Sequence, residues 1–275
     1  MKKLTLLTFP LAALALAACG QKTTTPPGGQ NPPANKLYSK YGNVMYMNNG
    51  NGAGSVGVIG SFHNINPTAL PKALDPSLLD TCQLGNGEAY VSSLLFTTSG
   101  TALDAGAALT FKKNGVTFAS LPRTEEKTQA IGPEYLYSAQ PLVLNGLSNL
   151  TLSIPGAAGG FPAFTDVPFF VPKSAFKITA PVDLKAVTAT TQFTWTGATN
   201  DPAAVVVFLV GQKEISFFCT ARDDGSFSIP SDFQDVLKAQ NFTKGVAAAI
   251  QSLTRFETNG DALLALQNLS VIVPK

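Results

Sequence analysis

Charge, histidine and long apolar runs are all scarce in this chain, and each shortage removes a class of function. Lys, Arg, Asp and Glu make up only 13% of its 275 residues, about half the ~25% usual in globular proteins. The formal charge of +2 resides in Lys2 and Lys3, and beyond them basic and acidic residues balance. Such a chain has no basic stripe for nucleic acid and no field to steer a charged partner. The single histidine, His63, excludes sites that need two, including most zinc and copper centres. No metal site and no cofactor is expected. Hydrophobic residues reach 45%, too many for a charge-driven disordered protein.

What is present starts at the N-terminus. Residues 1–19 read MKKLTLLTFPLAALALAAC, a cationic start followed by an apolar run shorter than the ~20 residues of a spanning helix. This has the form of a secretory signal, residues 1–18. Leu16-Ala17-Ala18-Cys19 resembles the lipobox of bacterial lipoproteins. The resemblance implies cleavage before Cys19, a diacylglycerol on its sulfur and acylation of its amine. With Gly20 rather than Asp after the cysteine, it also implies delivery to the outer membrane, or the outer face of the cytoplasmic membrane in a cell without one. Residues 19–36 would then form a lipidated tether. Pro26, Pro27, Pro32 and Pro33 with Gly28 and Gly29 keep it out of any core, and it could span roughly 50 Å at ~3.1 Å per extended residue.

From Leu37 onward, short alternating runs are cut by Gly, Pro and Asn, a β pattern. The clearest hairpin is Leu109–Leu121, turning at Asn114-Gly115, a pair that tolerates the positive φ angles of a type I′ turn. Other strands are expected at 43–47, 56–63, 89–97, 134–138, 149–154, 192–197, 203–210 and 214–221. The last two should be joined through Gly211-Gln212, with a further turn at Asp223-Asp224-Gly225. Ser231-x-x-Gln234 has capping-box form and predicts a short helix over 232–239. The stretch 246–257 can be read as helix or strand, and its alternation of Ile250, Ser252 and Thr254 with Gln251, Leu253 and Arg255 favours strand. Prolines at 168, 172 and 181 suggest a boundary, so the expected fold is all-β: two antiparallel sandwiches, 37–173 and 174–275. Phe193-Thr-Trp195-Thr-Gly followed by VVVFLV resembles the C-strand region of Ig-like modules in exported bacterial proteins, although no cysteine pair flanks Trp195.

Candidate chemistry is sparse. Cys82 and Cys219 are an even pair that an oxidising compartment could bridge, or Cys219 is simply a small buried hydrophobe. His63 ends an apolar strand without a marked nucleophile or orienting acid. Ser55 in Gly54-Ser55-Val56-Gly57 leads into a strand, not the helix a nucleophile elbow requires. Asn48–Gly54 lacks the lysine and helix of a phosphate cradle. The pairs Glu125-Glu126 and Asp223-Asp224 should point to opposite faces rather than share a substrate. Phe161–Pro172 packs four Phe and three Pro into twelve residues, either a binding ledge or an apolar segment packed between the sandwiches.

These features lead to the expectation of a non-catalytic, lipid-anchored cell-envelope protein that binds or braces an envelope protein or glycan. An alternative is a binder of small apolar ligands or glycans that uses Phe161, Phe164, Tyr135 and Tyr137 together in one groove. A hydrolase is a weaker third.

Overall fold

Alternating apolar and polar side chains put most of the chain into strands, as the period-2 pattern requires. The structure is a computed structural model that describes residues 36–49, 57–66, 78–87, 91, 100–128 and 132–274. The expected signal segment, Cys19, nearly all of the expected tether, Ser55 and most of the expected strand 89–97 lie outside the described residues.

Among the described residues sixteen strands follow in chain order. They are β1 (Lys40–Asn49), β2 (Gly57–Asn64), β3 (Thr81–Leu84), β4 (Thr101–Ala102), β5 (Ala108–Lys113) and β6 (Val116–Thr128). Next come β7 (Gly132–Ala139), β8 (Leu150–Ile154), β9 (Phe164–Pro168), β10 (Lys177–Ala180), β11 (Gln192–Thr196) and β12 (Ala204–Gln212). The last are β13 (Ile215–Arg222), β14 (Ser226–Ser228), β15 (Val246–Asn259) and β16 (Ala262–Ile272). One helix, α1 (Ser231–Ala239), accompanies them among the described residues. The all-β class is therefore as expected.

A thirteen-stranded sheet runs β3-β13-β12-β15-β16-β1-β2-β7-β6-β5-β8-β9, with β4 beside β2, and β10-β11-β14 form a smaller sheet. The expected boundary at 173/174 does not divide the hydrogen bonding. The last strand, β16, pairs in parallel with β1 from Lys40↔Ala262 to Asn49↔Val271, and antiparallel with β15. Residues from both sides of position 173 thus share one sheet.

β16 escaped the alternation rule for a physical reason. Ala262-Leu-Leu-Ala-Leu-Gln-Asn-Leu-Ser270 is buried at every position. A strand covered on both faces shows no alternation. On one face Ala262, Leu264 and Leu266 join a first core with Val44, Tyr46, Phe62, Leu109 and Leu152, while Ile272 joins a second core with Phe193, Phe208, Phe217 and Leu237. The opposite face carries Leu263, Ala265 and Leu269.

The turns refine the expectations. Asn114 (φ 51°) and Gly115 (φ 79°) form the anticipated tight turn between β5 and β6. The β12–β13 turn falls instead at Lys213-Glu214, with Lys213 at φ 52°. Gly211 and Gln212 stay in the strand because Gln212 has a partner loop: its Oε1 accepts from the N–H groups of Thr243 and Lys244 at 2.8 and 2.9 Å. The helix begins one residue earlier than the capping-box frame. Pro230 is the N-cap, no side chain caps the helix, and Gln234 Nε2 donates to Ile229 O at 2.8 Å. The stretch 246–257 is a strand, as read.

Candidate functional site

The aromatic set proposed for ligand binding is placed in the interior, and this corrects the groove expectation. Phe161 and Tyr137 are fully buried and Phe164 nearly so. Phe161 stacks on Phe164 (centroids 5.5 Å, planes 14° apart) and lies 4.6 Å from Phe62, which meets Tyr137 edge-on at 5.4 Å. These rings fill the first core because the rolled sheet turns β8 and β9 toward β1 and β2, and large apolar groups gain most from that burial. Only Tyr135 is partly exposed, beneath the Arg123 guanidinium at 5.3 Å. The segment 161–172 is likewise core lining rather than ledge, since Val167 and Phe169 are buried and, of its four phenylalanines, only Phe170 stands out, 49% exposed.

Tyr137 belongs to a polar node. Its hydroxyl donates to Gly106 O at 2.8 Å and accepts from the Ala105 N–H at 2.9 Å. Asp104 Oδ1 lies 3.2 Å away and accepts from the Gly106 N–H at 2.8 Å, while Oδ2 pairs with Arg123. Burial pushes the phenol up to about 12, and the neighbouring carboxylate adds to the rise. Burial also pushes Asp104 up, but the Gly106 N–H, Arg123 and Tyr137 outweigh it and hold the carboxyl below its usual range. The node ties β7 to the loop before β5. A phenol held protonated with both bonds used inside the fold is a strut.

A second node lies between the two cores. Asp223 is 2% exposed. Its Oδ1 accepts from Trp195 Nε1 at 2.9 Å, and its Oδ2 from Thr199 N, Thr199 Oγ1 and Gln251 Nε2 at 2.7–2.9 Å. Four donors around one carboxylate satisfy a buried charge. Asp224 is exposed, so the adjacent acids point apart as expected. Beside this node Arg255 pairs with Asp201 and lies 5.1 Å from the Phe170 ring, and Asn268 donates to Phe170 O. Sequence reasoning marked Asp223 only as a turn residue. Its tie to Gln251, 28 positions away, has no local signal.

The structure closes Cys82 and Cys219 into a disulfide across 137 positions. The two cysteines face each other on β3 and β13. His63 sits on β2 opposite Tyr41, partly buried. The side chains of Glu125 and Glu126 lie outside the described residues. Among the described residues no group of three His, Cys, Asp or Glu side chains could hold a metal, and no helix is long and apolar enough to cross a membrane. Open clefts lie on the surface of the described residues. One is lined by Ile59, Thr124, Leu136, Ser138 and Pro141, another by Lys177, Ile178, Val182, Asp183 and Val273. No protein-family model matches the chain, and no curated protein matches it either.

Proposed function

We propose that this chain is a non-catalytic lipoprotein of the cell envelope, anchored through Cys19, whose β-structure binds or braces an envelope protein or glycan. The observation that carries the reading is Leu16-Ala17-Ala18-Cys19 at the end of a cationic, then apolar, leader. In this reading residues 20–36 are a spacer, and the folded part is held off the membrane surface on the outer membrane, or on the outer face of the cytoplasmic membrane where no outer membrane exists. Two or three acyl chains on one cysteine hold firmly, since each buried CH₂ contributes ~0.8 kcal/mol. The interior supports a scaffold role. Its two polar nodes, at half-buried Asp104 and buried Asp223, direct their bonds to the fold's own backbone and side chains. Phe161, Phe164 and Tyr137, three of the four aromatic residues that a glycan groove would have used, are core residues.

The test is the mass of the mature N-terminus. The expected product begins at Cys19 and carries diacylglycerol and N-acyl mass. In Cys19→Ser the leader is exported but stays uncleaved, and the acyl mass disappears. A mature chain that begins elsewhere, or begins at an unmodified Cys19, removes the anchor from the proposal.

A further inference from the structure

The large sheet is closed differently at its two ends. At one end β9 guards itself. Asp166 adopts φ 51° and is tied to Lys112 Nζ at 2.7 Å and Ser153 Oγ at 2.9 Å, and Pro168 has no N–H to offer. Charges, irregular backbone and proline on an edge discourage pairing with another chain.

At the other end β13 has neither irregular backbone nor proline, and its one charge, Arg222, stands at its last position. Ile-Ser-Phe-Phe-Cys-Thr-Ala-Arg pairs with β12 over eight residues without a register shift. It contains no Gly or Pro, and its outer edge is covered by a short strand from elsewhere in the chain. β3 pairs only Thr81–Leu84 against Phe217–Thr220, and Gly85 N–H adds a bond to Ser216 O. β3 itself buries little, since Gln83 and Leu84 are exposed and Cys82 is half-buried. Its polar ties are Asp80 to the Arg222 side chain (2.8 Å) and N–H (3.1 Å) and the Thr220 hydroxyl to Leu78 O, and Leu79 just before it packs on Val205 and Val207. The covalent tie is Cys82–Cys219.

We infer that this disulfide is a removable edge guard: once it is reduced, β3 leaves and β13 pairs antiparallel with β13 of a second copy. The sequence of β13 is self-complementary in that arrangement. With Phe218 on the two-fold axis, the ladder extends one residue beyond β13 into the β12–β13 turn, where Glu214 of each copy stands opposite Arg222 of the other. Arg222 thereby exchanges its Asp80 partner for a new carboxylate. Such an isologous contact closes on itself as a dimer and does not propagate. The switch needs a dithiol reductant. One of its thiolates attacks a sulfur of the Cys82–Cys219 bond and displaces the other cysteine, and its second thiol then releases the mixed disulfide. Two electrons and two protons pass to the cysteines and the reductant is left as a disulfide.

The experiment compares the full chain in detergent micelles with and without dithiothreitol, by light scattering and amide hydrogen exchange. The expected result is a doubling of protein mass on reduction. Exchange at 81–84 should rise at least tenfold while 215–222, β15 and β16 stay protected. The Cys82→Ser/Cys219→Ser variant should dimerise without reductant. Adding Arg222→Glu should return it to monomer, and adding Glu214→Arg as well should restore the dimer. A reduced protein that stays monomeric, unchanged protection at 81–84, or equal dimerisation of the oxidised protein overturns the proposal. So does loss of protection in β15 and β16, which would show that the bond holds the whole fold. A dimer indifferent to Arg222→Glu overturns the Glu214–Arg222 pairing.

Discussion

The two apolar cores lie on the same face of one sheet, yet they are sealed by different means. The first is sealed by the sheet itself, which rolls until Leu152 on β8 and Phe164 on β9 meet Val44 and Phe62 on β1 and β2. The second is sealed by added layers: β11 with Phe193 and Trp195, β14 with Phe227, and α1 with Leu237. Between them, on the shared strands, the side chains turn polar, with Gln251, Asn268 and Ser270 buried in place of leucines. The contrast teaches that one set of central strands can serve two cores, provided a hydrogen-bonded seam separates them. An unbroken apolar surface would leave the position of the added layers less determined.

The sharpest way to break the comparison is to open each core in turn. Phe208 stacks on Phe193 at 4.0 Å and lies within 6 Å of Trp195 and Phe227, and Phe161 plays the same part in the first core. Phe208→Ala and Phe161→Ala should each cost about 3–5 kcal/mol. Because β16 lines both cores and is paired on either side with β1 of the first and β15 of the second, each variant should shift a single urea transition seen by tryptophan fluorescence and circular dichroism alike. If Phe161→Ala leaves the transition around Trp195 in place, the cores fold independently and the comparison is between two domains.

A smaller effect is expected at the seam. Asp223→Ala removes the acceptor of Trp195, Thr199 and Gln251 together, leaving buried donors unpaired at about 1–3 kcal/mol for each group not re-satisfied. Denaturation midpoints and an altered indole N–H resonance check it. Asp223→Asn keeps part of the acceptor set and should fall between the variant and the wild type.

The smallest effect separates the first core from the second by pH. Tyr137 is raised to about 12 by burial and by Asp104, against about 10 in an unfolded chain. A group raised in the folded state contributes fully below the unfolded value. Its contribution is lost as pH climbs from about 10 through 12. Tyr137→Phe should therefore cost about 1 kcal/mol at pH 8 for the lost hydrogen bonds. At pH 11 its difference from the wild type should shrink, since the wild type has lost a further ~1 kcal/mol. Parallel midpoints at pH 8 and pH 11 would show it. A constant difference would mean that Tyr137 ionises no later than a free tyrosine.

Legibility in the sequence followed exposure. β2, β5, β8, β11 and β13 alternate because one of their faces is wetter than the other, and the Asn114-Gly115 turn announces itself by its two positive φ angles. β9 was hidden by its Phe and Pro content, which reads as irregular. The aromatic set looked like a groove because composition alone cannot say whether ring faces meet solvent or one another. In the same way Asp223 reads as a turn acid until Trp195 and Gln251 are brought around it.

By itself the sequence determined what local forces decide: strands rather than helices from period-2 alternation, one short helix, and the tight turn at Asn114-Gly115. Only the tertiary structure decided the pairing of β16 with β1 across more than two hundred residues, the closing of Cys82 on Cys219, and the burial of Phe161, Phe164 and Tyr137. Those depend on which distant surfaces exclude water from each other. A strand buried on both faces carries no periodic trace of its neighbours.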